Sequence, residues 1–177
     1  LADRRPDLEI LPLRGNVNTR LRKLDEGDYD AVILAAAGLL RLGFAERIRA
    51  FISPEESLPA IGQGAIGIEC RVDDERVNGL LEALHDAPTA ACVSAERALN
   101  ERLQGGCQVP IAGHATLDGE QLFLRGLVGS VDGSEIVRAE GVGDVKAPAG
   151  IGHAVAGELL DHGAGELLKA LYDSADH

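Results

Sequence analysis

Methionine is absent from the 177-residue sequence, and cysteine occurs only three times. A chain that begins at Leu1 and has no methionine is expected to be part of a longer protein. Three cysteines are too few for a disulfide framework, so Cys70, Cys92 and Cys107 are expected to be reduced thiols in a cytoplasmic protein. No apolar run reaches membrane-spanning length, and the first residues do not resemble a signal peptide.

Basic residues are also scarce, since 17 Lys and Arg stand against 29 Asp and Glu and give a formal net charge of -12. Such an acidic surface argues against a nucleic-acid partner. The five histidines are too scattered to form a recognisable zinc motif, so no metal site is predicted. What is present is a 45% hydrophobic composition, enough to bury the core of one large domain or two small ones.

The first quarter of the chain has the pattern of a strand, helix, strand unit. Residues 8–13 predict a short buried strand, and an apolar stripe at helical spacing then predicts a helix, with Asn16 as its N-cap and Gly27 just past its end. Residues 31–36 are almost free of polar side chains, which predicts a second strand covered on both faces, as in a parallel sheet with a right-handed crossover.

Three arginines follow from this arrangement as candidate binding residues. Arg14 leaves the first predicted strand, Arg20 lies in the first turn of the helix, and Arg41 follows the second strand after a turn opened by Gly38. Ligands of open α/β sheets bind at this edge, and guanidinium groups bind carboxylates or phosphates in a bidentate way. The alternative is that these arginines form ordinary surface ion pairs.

Residues 58–67 contain Pro59 and three glycines, which predicts a hinge or a crossing between domains. The segment is not a phosphate-binding loop, because it lacks the Lys and Ser or Thr of that motif. Residues 66–70 are expected to form a strand, followed by a helix capped by Asp73. Neither has an obvious partner in the chain. Cys70 and Cys92 are both interpreted as core residues.

From Pro88 onward the sequence predicts one compact unit. Thr89 is expected to cap a helix with the inner face Cys92, Ala95, Leu99 and Leu103. Strand-like runs at 113–117, 121–128 and 135–141 are joined by Asp-Gly turns, a good hairpin signal. Apolar stripes over 151–171 predict closing helices. The fold class is therefore α/β plus α+β, a partial parallel-sheet domain followed by a three-stranded antiparallel sheet with helices on one face.

The most informative stretch is Gly105, Gly106, Cys107, Gln108, Val109, Pro110, which places a thiol on a glycine hinge behind a helix. Glycines leave the sulfur unshielded and allow positive φ angles, and Pro110 cannot continue a helix. A covalent attachment point and a plain helix stop over a buried thiol both fit this pattern. A Cys107/His114 hydrolase is disfavoured, because the sequence places no orienting acid beside them.

These residues together resemble the C-terminal portion of the hydroxymethylbilane synthase family, also called porphobilinogen deaminase. The Cys107 loop and the preceding Glu96 and Arg97 resemble the third domain of that family. The following residues resemble its second domain and the crossing back to the first: Arg14, Gly15, Asn16, Val17, Thr19, Arg20, Leu21, Lys23, Leu24, Asp30, Ala31, Ala37, Gly38, Leu39, Arg41, Leu42, Gly43, Leu58, Pro59, Gly62, Gln63, Gly64, Glu69, Cys70 and Arg71.

The resemblance implies a transferase of tetrapyrrole (haem) biosynthesis, which polymerises four porphobilinogen units with loss of ammonia onto a dipyrromethane held by a thioether at Cys107. It assigns the carboxylates of the pyrrole chain to Arg14, Arg20 and Arg41, and it places Gly38 and Gln63 in the same cleft. The full-length enzyme is expected to be a cytoplasmic monomer without nucleic-acid or membrane partners.

The resemblance also implies that the catalytic aspartate of the family lies upstream of Leu1, so that no catalytic residue is expected in these 177 residues. The piece alone is expected to be inactive and to carry a bare thiol. Its expected parts are the remainder of the second domain (1–61), a hinge and returning segment (62–86) and the C-terminal domain (87–177). The alternative function is a non-catalytic module that binds small carboxylates, with Cys107 structural.

Overall fold

The computed structural model describes residues 1–106 and 109–175, and these contain six α-helices and three β-strands. The helices are α1 (Val17–Asp25), α2 (Ala36–Arg41), α3 (Glu75–Leu81), α4 (Ala87–Arg102), α5 (Pro148–Leu159) and α6 (Gly165–Ala175). The strands are β1 (Ile111–Asp118), β2 (Gln121–Gly129) and β3 (Ile136–Asp144). Single turns of 3-10 helix follow α2 and α3, and Leu160–Ala164 joins α5 to α6 with a kink at Gly163, whose φ is +100°.

Helix α1 forms where the sequence predicts it. The Asn16 side chain accepts a hydrogen bond from the Thr19 backbone N–H at 2.9 Å, which satisfies one of the free amides at the helix start. Gly27 has a φ of +83° and ends the helix, because glycine adopts this left-handed conformation without steric cost. The predicted cap and stop are both confirmed.

The three strands expected in the first half are wrong. Residues 8–13, 31–36 and 66–70 have no strand pairing, and Ile10, Ile33 and Ile66 are 60%, 60% and 83% exposed. A strand is stabilised by hydrogen bonds to a neighbour, and no described residue of this half supplies one. Gly38 does not open a turn after a strand but lies inside α2.

Two predicted helix caps are displaced by a few residues. Asp74, not Asp73, accepts from the Val77 N–H at 3.0 Å at the start of α3. Helix α4 begins after Asp86, which accepts from the N–H of Thr89 at 2.9 Å. Thr89 is therefore the capped residue and not the cap, because the carboxylate three residues earlier reaches its amide.

The three-stranded antiparallel sheet is confirmed, in the order β1-β2-β3. A two-residue loop joins β1 to β2, with Asp118 opposite Gln121 and a positive φ at Gly119. The second connection contains Asp132 and Gly133, as the Asp-Gly signal predicts. Both hairpins therefore form at the predicted turns.

The main core lies between this sheet and helices α4 and α5, which confirms the mixed α/β class and the helices on one face. Leu99 of α4, Leu122 and Leu124 of β2, and Leu159 of α5 are fully buried. A Cβ on Gly152 of α5 would lie 2.7 Å from the Cβ of Ala98 and 2.8 Å from the Leu99 amide nitrogen. The two helices therefore approach each other closely at this glycine.

Two segments from the first half reach this C-terminal unit. Ion pairs join Asp3 to Arg138 at 2.7 Å and Glu55 to Arg125 at 3.1 Å. The Pro59 carbonyl accepts from the Gly113 N–H of β1 at 3.2 Å. Within the described ranges, no helix is long and apolar enough to cross a membrane.

Candidate functional site

The Cys107 loop connects α4 to β1, and Cys107 and Gln108 themselves lie outside the described residues. The loop is fixed on its α4 side. Asn100 accepts from the Gly105 N–H through its backbone carbonyl at 2.9 Å and donates from its side chain to the Gly105 carbonyl at 3.0 Å. The Tyr172 hydroxyl of α6 donates to the Gln104 carbonyl at 2.7 Å. The approach to the cysteine is thus held by two helices.

Gly105 and Gly106 were expected to adopt positive φ angles, and the structure gives them different physical roles. The positive φ at the end of α4 belongs to Gln104, at +56°, and not to Gly105 or Gly106. Gly105 is required for space, because a Cβ there would collide with the side chains of Asn100 and Ile111. Gly106 has open space beside it. A side chain at position 106 would therefore meet no described atom, so Gly106 is not required there for space.

Arg14 and Arg20 flank the start of α1. Arg20 is half-buried, and its Nε donates to the Gly15 carbonyl at 2.8 Å, while the terminal nitrogens of its guanidinium have no partner in the described part of the chain. Arg14 is exposed, and no described side chain pairs with it. The first turn of α1 contains no acidic side chain, so this helix start favours negatively charged groups.

Gly38 and Arg41 lie three residues apart on α2, one turn from each other. Arg41 is exposed, again with no pairing side chain among the described residues. The predicted location of Arg14, Arg20 and Arg41 at the edge of a parallel sheet is wrong, because no strand precedes any of them. The alternative prediction, that these three arginines form ordinary surface ion pairs, is not confirmed either, because no described acid pairs with them. Arg22 does form such a pair, with Glu26 at 2.6 Å.

Gln63 is exposed in a turn between two glycines with positive φ, Gly62 at +69° and Gly64 at +91°. The turn is held in place by its own neighbours. The Gly62 N–H donates to the Glu96 side chain at 2.7 Å, and Ile61 packs against the main core. Gln63 therefore directly follows two residues whose positions are set by contacts with α4 and the main core.

Glu96 of α4 is buried at 6% exposure, a feature that its resemblance to the third domain of the family did not predict. Its second carboxylate oxygen accepts from the Ala115 N–H of β1 at 2.8 Å, and the His114 Nδ1 lies 4.0 Å from that oxygen. The signal was its spacing: Glu96 is four residues from Cys92 and three from Leu99, on the apolar face of the helix. An acid on such a face needs buried hydrogen-bond donors.

The other two cysteines differ from each other. Cys92 is half-buried against the core, as expected, and burial together with the charge of Glu96 raises the pKa of its thiol. Cys70 is exposed, and its thiol donates to the Asn78 side chain at 2.8 Å. The core assignment of Cys70 is therefore wrong, because the strand that would have buried it does not form. Over the described ranges, no three His, Cys, Asp or Glu side chains gather into a possible metal site.

Two family models match the chain. Residues 1–79 match the porphobilinogen deaminase dipyromethane cofactor binding domain, and residues 90–161 match the porphobilinogen deaminase C-terminal domain. Both models describe parts of one kind of enzyme, a transferase of tetrapyrrole biosynthesis. The chain belongs to the porphobilinogen deaminase family. Arg14, Arg20, Arg41 and Gln63 fall in the first match, and the Cys107 loop falls in the second.

Proposed function

We propose that this chain is the substrate- and cofactor-binding part of a hydroxymethylbilane synthase, which joins four porphobilinogen molecules with loss of one ammonia per link. The proposal rests above all on the two family matches, which together include every residue predicted to bind the cofactor or substrate. The parts proposed for the chain are a cofactor-binding portion (1–61), a hinge and returning segment (62–86) and a C-terminal domain (87–177).

In this proposal Cys107 holds a dipyrromethane through a thioether, and the bound group supplies the anchor that retains the product chain on the protein. Two features of the described residues beside the loop support this proposal. The proposal is supported by the absence of any described atom within 4 Å of a Cβ built on Gly106, the residue before the cysteine. The fixed Asn100 and Tyr172 contacts hold the helix side of the loop, so the anchor has a defined origin.

The arginines bind the acetate and propionate groups of the pyrrole units. Arg14 and Arg41 have no pairing acid among the described side chains, so their charge is available to a ligand. Arg20 keeps its terminal nitrogens for the same use, while its Nε bond to Gly15 orients the guanidinium. Gln63 adds an amide at a fixed turn, and Gly38 leaves open space on α2. These residues bind and orient, and none of them transfers a proton.

A substitution pair tests the binding role in the full-length enzyme. Arg20→Ala is expected to lower kcat/KM for porphobilinogen roughly tenfold to a hundredfold, because a hydrogen bond to a charged group is worth about 1.5–3 kcal/mol. Arg22→Ala, two residues further along the same helix and already paired with Glu26, is the matched control and should stay near the unsubstituted rate. Equal losses in the two variants would contradict the assignment.

We also propose that these 177 residues alone do not turn over porphobilinogen and carry a free thiol at Cys107. Large apolar side chains of residues 1–86 remain uncovered, including Phe51 at 67%, Val72 at 95% and Leu84 at 68% exposure, which supports a cleft that needs further protein to close. Intact mass measurement tests this directly. A mass increase equal to a dipyrromethane on this chain would refute it.

The substitution Cys107→Ser in the full-length enzyme separates the proposal from a carboxylate-binding module with a structural cysteine. The synthase requires that turnover and the covalent adduct are both lost. The module would keep anion binding through its arginines and would show no adduct in either form. The enzyme is further proposed to act as a cytoplasmic monomer on small-molecule substrates, without nucleic-acid or membrane partners.

A further inference from the structure

The Glu96 carboxylate is the buried charged group that the proposed function leaves unused. At 6% exposure it has lost nearly all contact with water, which is costly unless its oxygens are hydrogen-bonded. Each oxygen accepts one backbone N–H, at 2.7 Å from Gly62 and at 2.8 Å from Ala115. One side chain therefore joins the turn that carries Gln63 to the strand that follows the Cys107 loop.

We propose that Glu96 is a positioning residue, which holds Gln63 at a fixed place relative to the Cys107 loop. The inference rests on the proposed function, because that function is what gives Gln63 and Cys107 a shared ligand. Glu96 itself lies on α4, the helix from which the loop departs. The carboxylate thus connects three elements, namely the Gln63 turn, the helix before the loop and the strand after it.

The neighbouring contacts make this connection specific to Gly62. Pro59 is already bonded to Gly113 of β1 at 3.2 Å, and Ile61 fills the space left by the missing side chain of Gly113. These contacts fix the chain up to residue 61. The backbone then turns at Gly62, which has a φ of +69°, and within the turn the Gln63 N–H donates to the Ala60 carbonyl at 3.0 Å. The bond from the Gly62 N–H to Glu96 connects this turn to α4.

A carboxylate is required here because each of the two backbone N–H donors, from Gly62 and Ala115, needs its own acceptor oxygen. Glutamine has the same shape, but its amide offers one acceptor oxygen and one donor nitrogen. In a Glu96→Gln variant one of the two backbone N–H groups would face another donor. The exposed Glu101 lies five residues along the same helix with no side-chain partner in the described residues, so Glu101→Gln is the matched control.

Amide hydrogen exchange on the 177-residue chain measures the contact directly. Glu96→Gln is expected to speed exchange at Gly62 or Ala115 by about tenfold or more relative to Leu124 of the central strand, because hydrogen bonds to charged groups are the stronger kind. Leu124 exchanges through global unfolding, so dividing by its rate corrects for any overall loss of stability. The measured quantity is the exchange rate of the Gly62 or Ala115 amide divided by that of the Leu124 amide. If Glu96→Gln and Glu101→Gln give the same ratio at both amides, the proposal is overturned. Glu96→Asp, which keeps both acceptors on a shorter arm, should give an intermediate ratio and serves if the glutamine variant does not fold.

A double-mutant cycle in the full-length enzyme tests the link to Gln63. Glu96→Gln and Gln63→Ala are each expected to lower kcat/KM, and the double variant should fall little below Gln63→Ala alone, because both remove the same interaction. A purely structural role of Glu96 would give additive losses, and either additivity or normal turnover by Glu96→Gln would overturn the proposal. If the unsubstituted enzyme has no synthase activity, the proposed function fails, while the exchange ratios still decide whether Glu96 fixes the turn.

Discussion

At the scale of single residues, Asp132 shows how a hydrogen-bonded carboxylate stabilises a turn. Its Oδ1 accepts from the Ser130 hydroxyl at 2.6 Å and from the Ser134 hydroxyl at 2.8 Å and backbone N–H at 3.1 Å. These bonds favour the charged form and lower the pKa of Asp132 to about 2 from an ordinary 3.8. The ionised Asp132 therefore stabilises the folded protein at every pH at which Asp132 of the unfolded chain is ionised as well.

We expect Asp132→Ala to destabilise the protein at neutral pH by an amount that shrinks on acidification. Since the folded pKa of about 2 lies below the ordinary 3.8, the contribution is present above about pH 4 and is lost as the pH falls toward 2. Denaturant unfolding of both proteins across this range measures it. An equal difference in stability between the two proteins at about pH 7 and at about pH 2 would contradict this expectation.

The two described cysteines should react at different rates. Burial, and secondarily the charge of Glu96, raises the pKa of the Cys92 thiol, so less of it is thiolate at a given pH. Cys70 is exposed. Alkylation with iodoacetamide at pH about 8, followed by peptide mass mapping, should modify Cys70 well before Cys92. Equal rates in the native protein would contradict this order, and equal rates after denaturation are the control.

How far these residues could be predicted depends on how local their chemistry is. The Cys107 loop and the three arginines are recognised from residue type and neighbours along the chain, and the resemblance adds to the same signal. The role of Glu96 depends on Gly62 and Ala115, which lie 34 and 19 residues away. Its spacing on α4 indicates burial, but no pattern along the chain identifies the two amides that it accepts from.

At the scale of elements, the close approach of α4 and α5 gives a sharp test. Gly152→Ala would place a methyl group 2.7 Å from the Ala98 Cβ and against the backbone of Leu99. We expect it to lower the free energy of unfolding by about 1–3 kcal/mol, as overpacking of a fixed core does. Gly157→Ala on the same helix meets nothing within 4 Å and should raise it by roughly 0.5–1 kcal/mol, since alanine is the better helix former. Thermal or chemical denaturation distinguishes the two signs.

The elements that the sequence predicts correctly are those whose signal lies within the element itself or in the turn beside it. Each hairpin pairs adjacent runs, and α4 and α5 carry apolar stripes that cover the same sheet. Residues 8–13 and 31–36 have the composition of buried strands, but composition does not supply a neighbour, and these segments lie unpaired. An apolar run predicts burial, whereas a strand also requires a second backbone to pair with.

At the scale of the whole molecule, the buried residues of the main core lie between 95 and 168 in the described part of the chain. Residues 1–86 bury only two large apolar side chains, Leu21 and Leu39. Amide exchange should therefore be slowest in β2, which has a neighbour on each side, and much faster in α1 and α3. Hydrogen-exchange mass spectrometry measures this profile. Protection of α1 equal to that of β2 would show that the two halves unfold together.

The hydrogen bonds to Pro59 and Glu96 also have a consequence for self-association. Unpaired backbone amides on an edge strand of a sheet can pair with a strand from another copy, and many proteins begin to aggregate in this way. On β1, the N–H groups of Gly113 and Ala115 are already occupied by these two partners. A second copy would therefore find no continuous ladder on that side, and intermolecular strand addition would have to begin at the opposite rim, on β3.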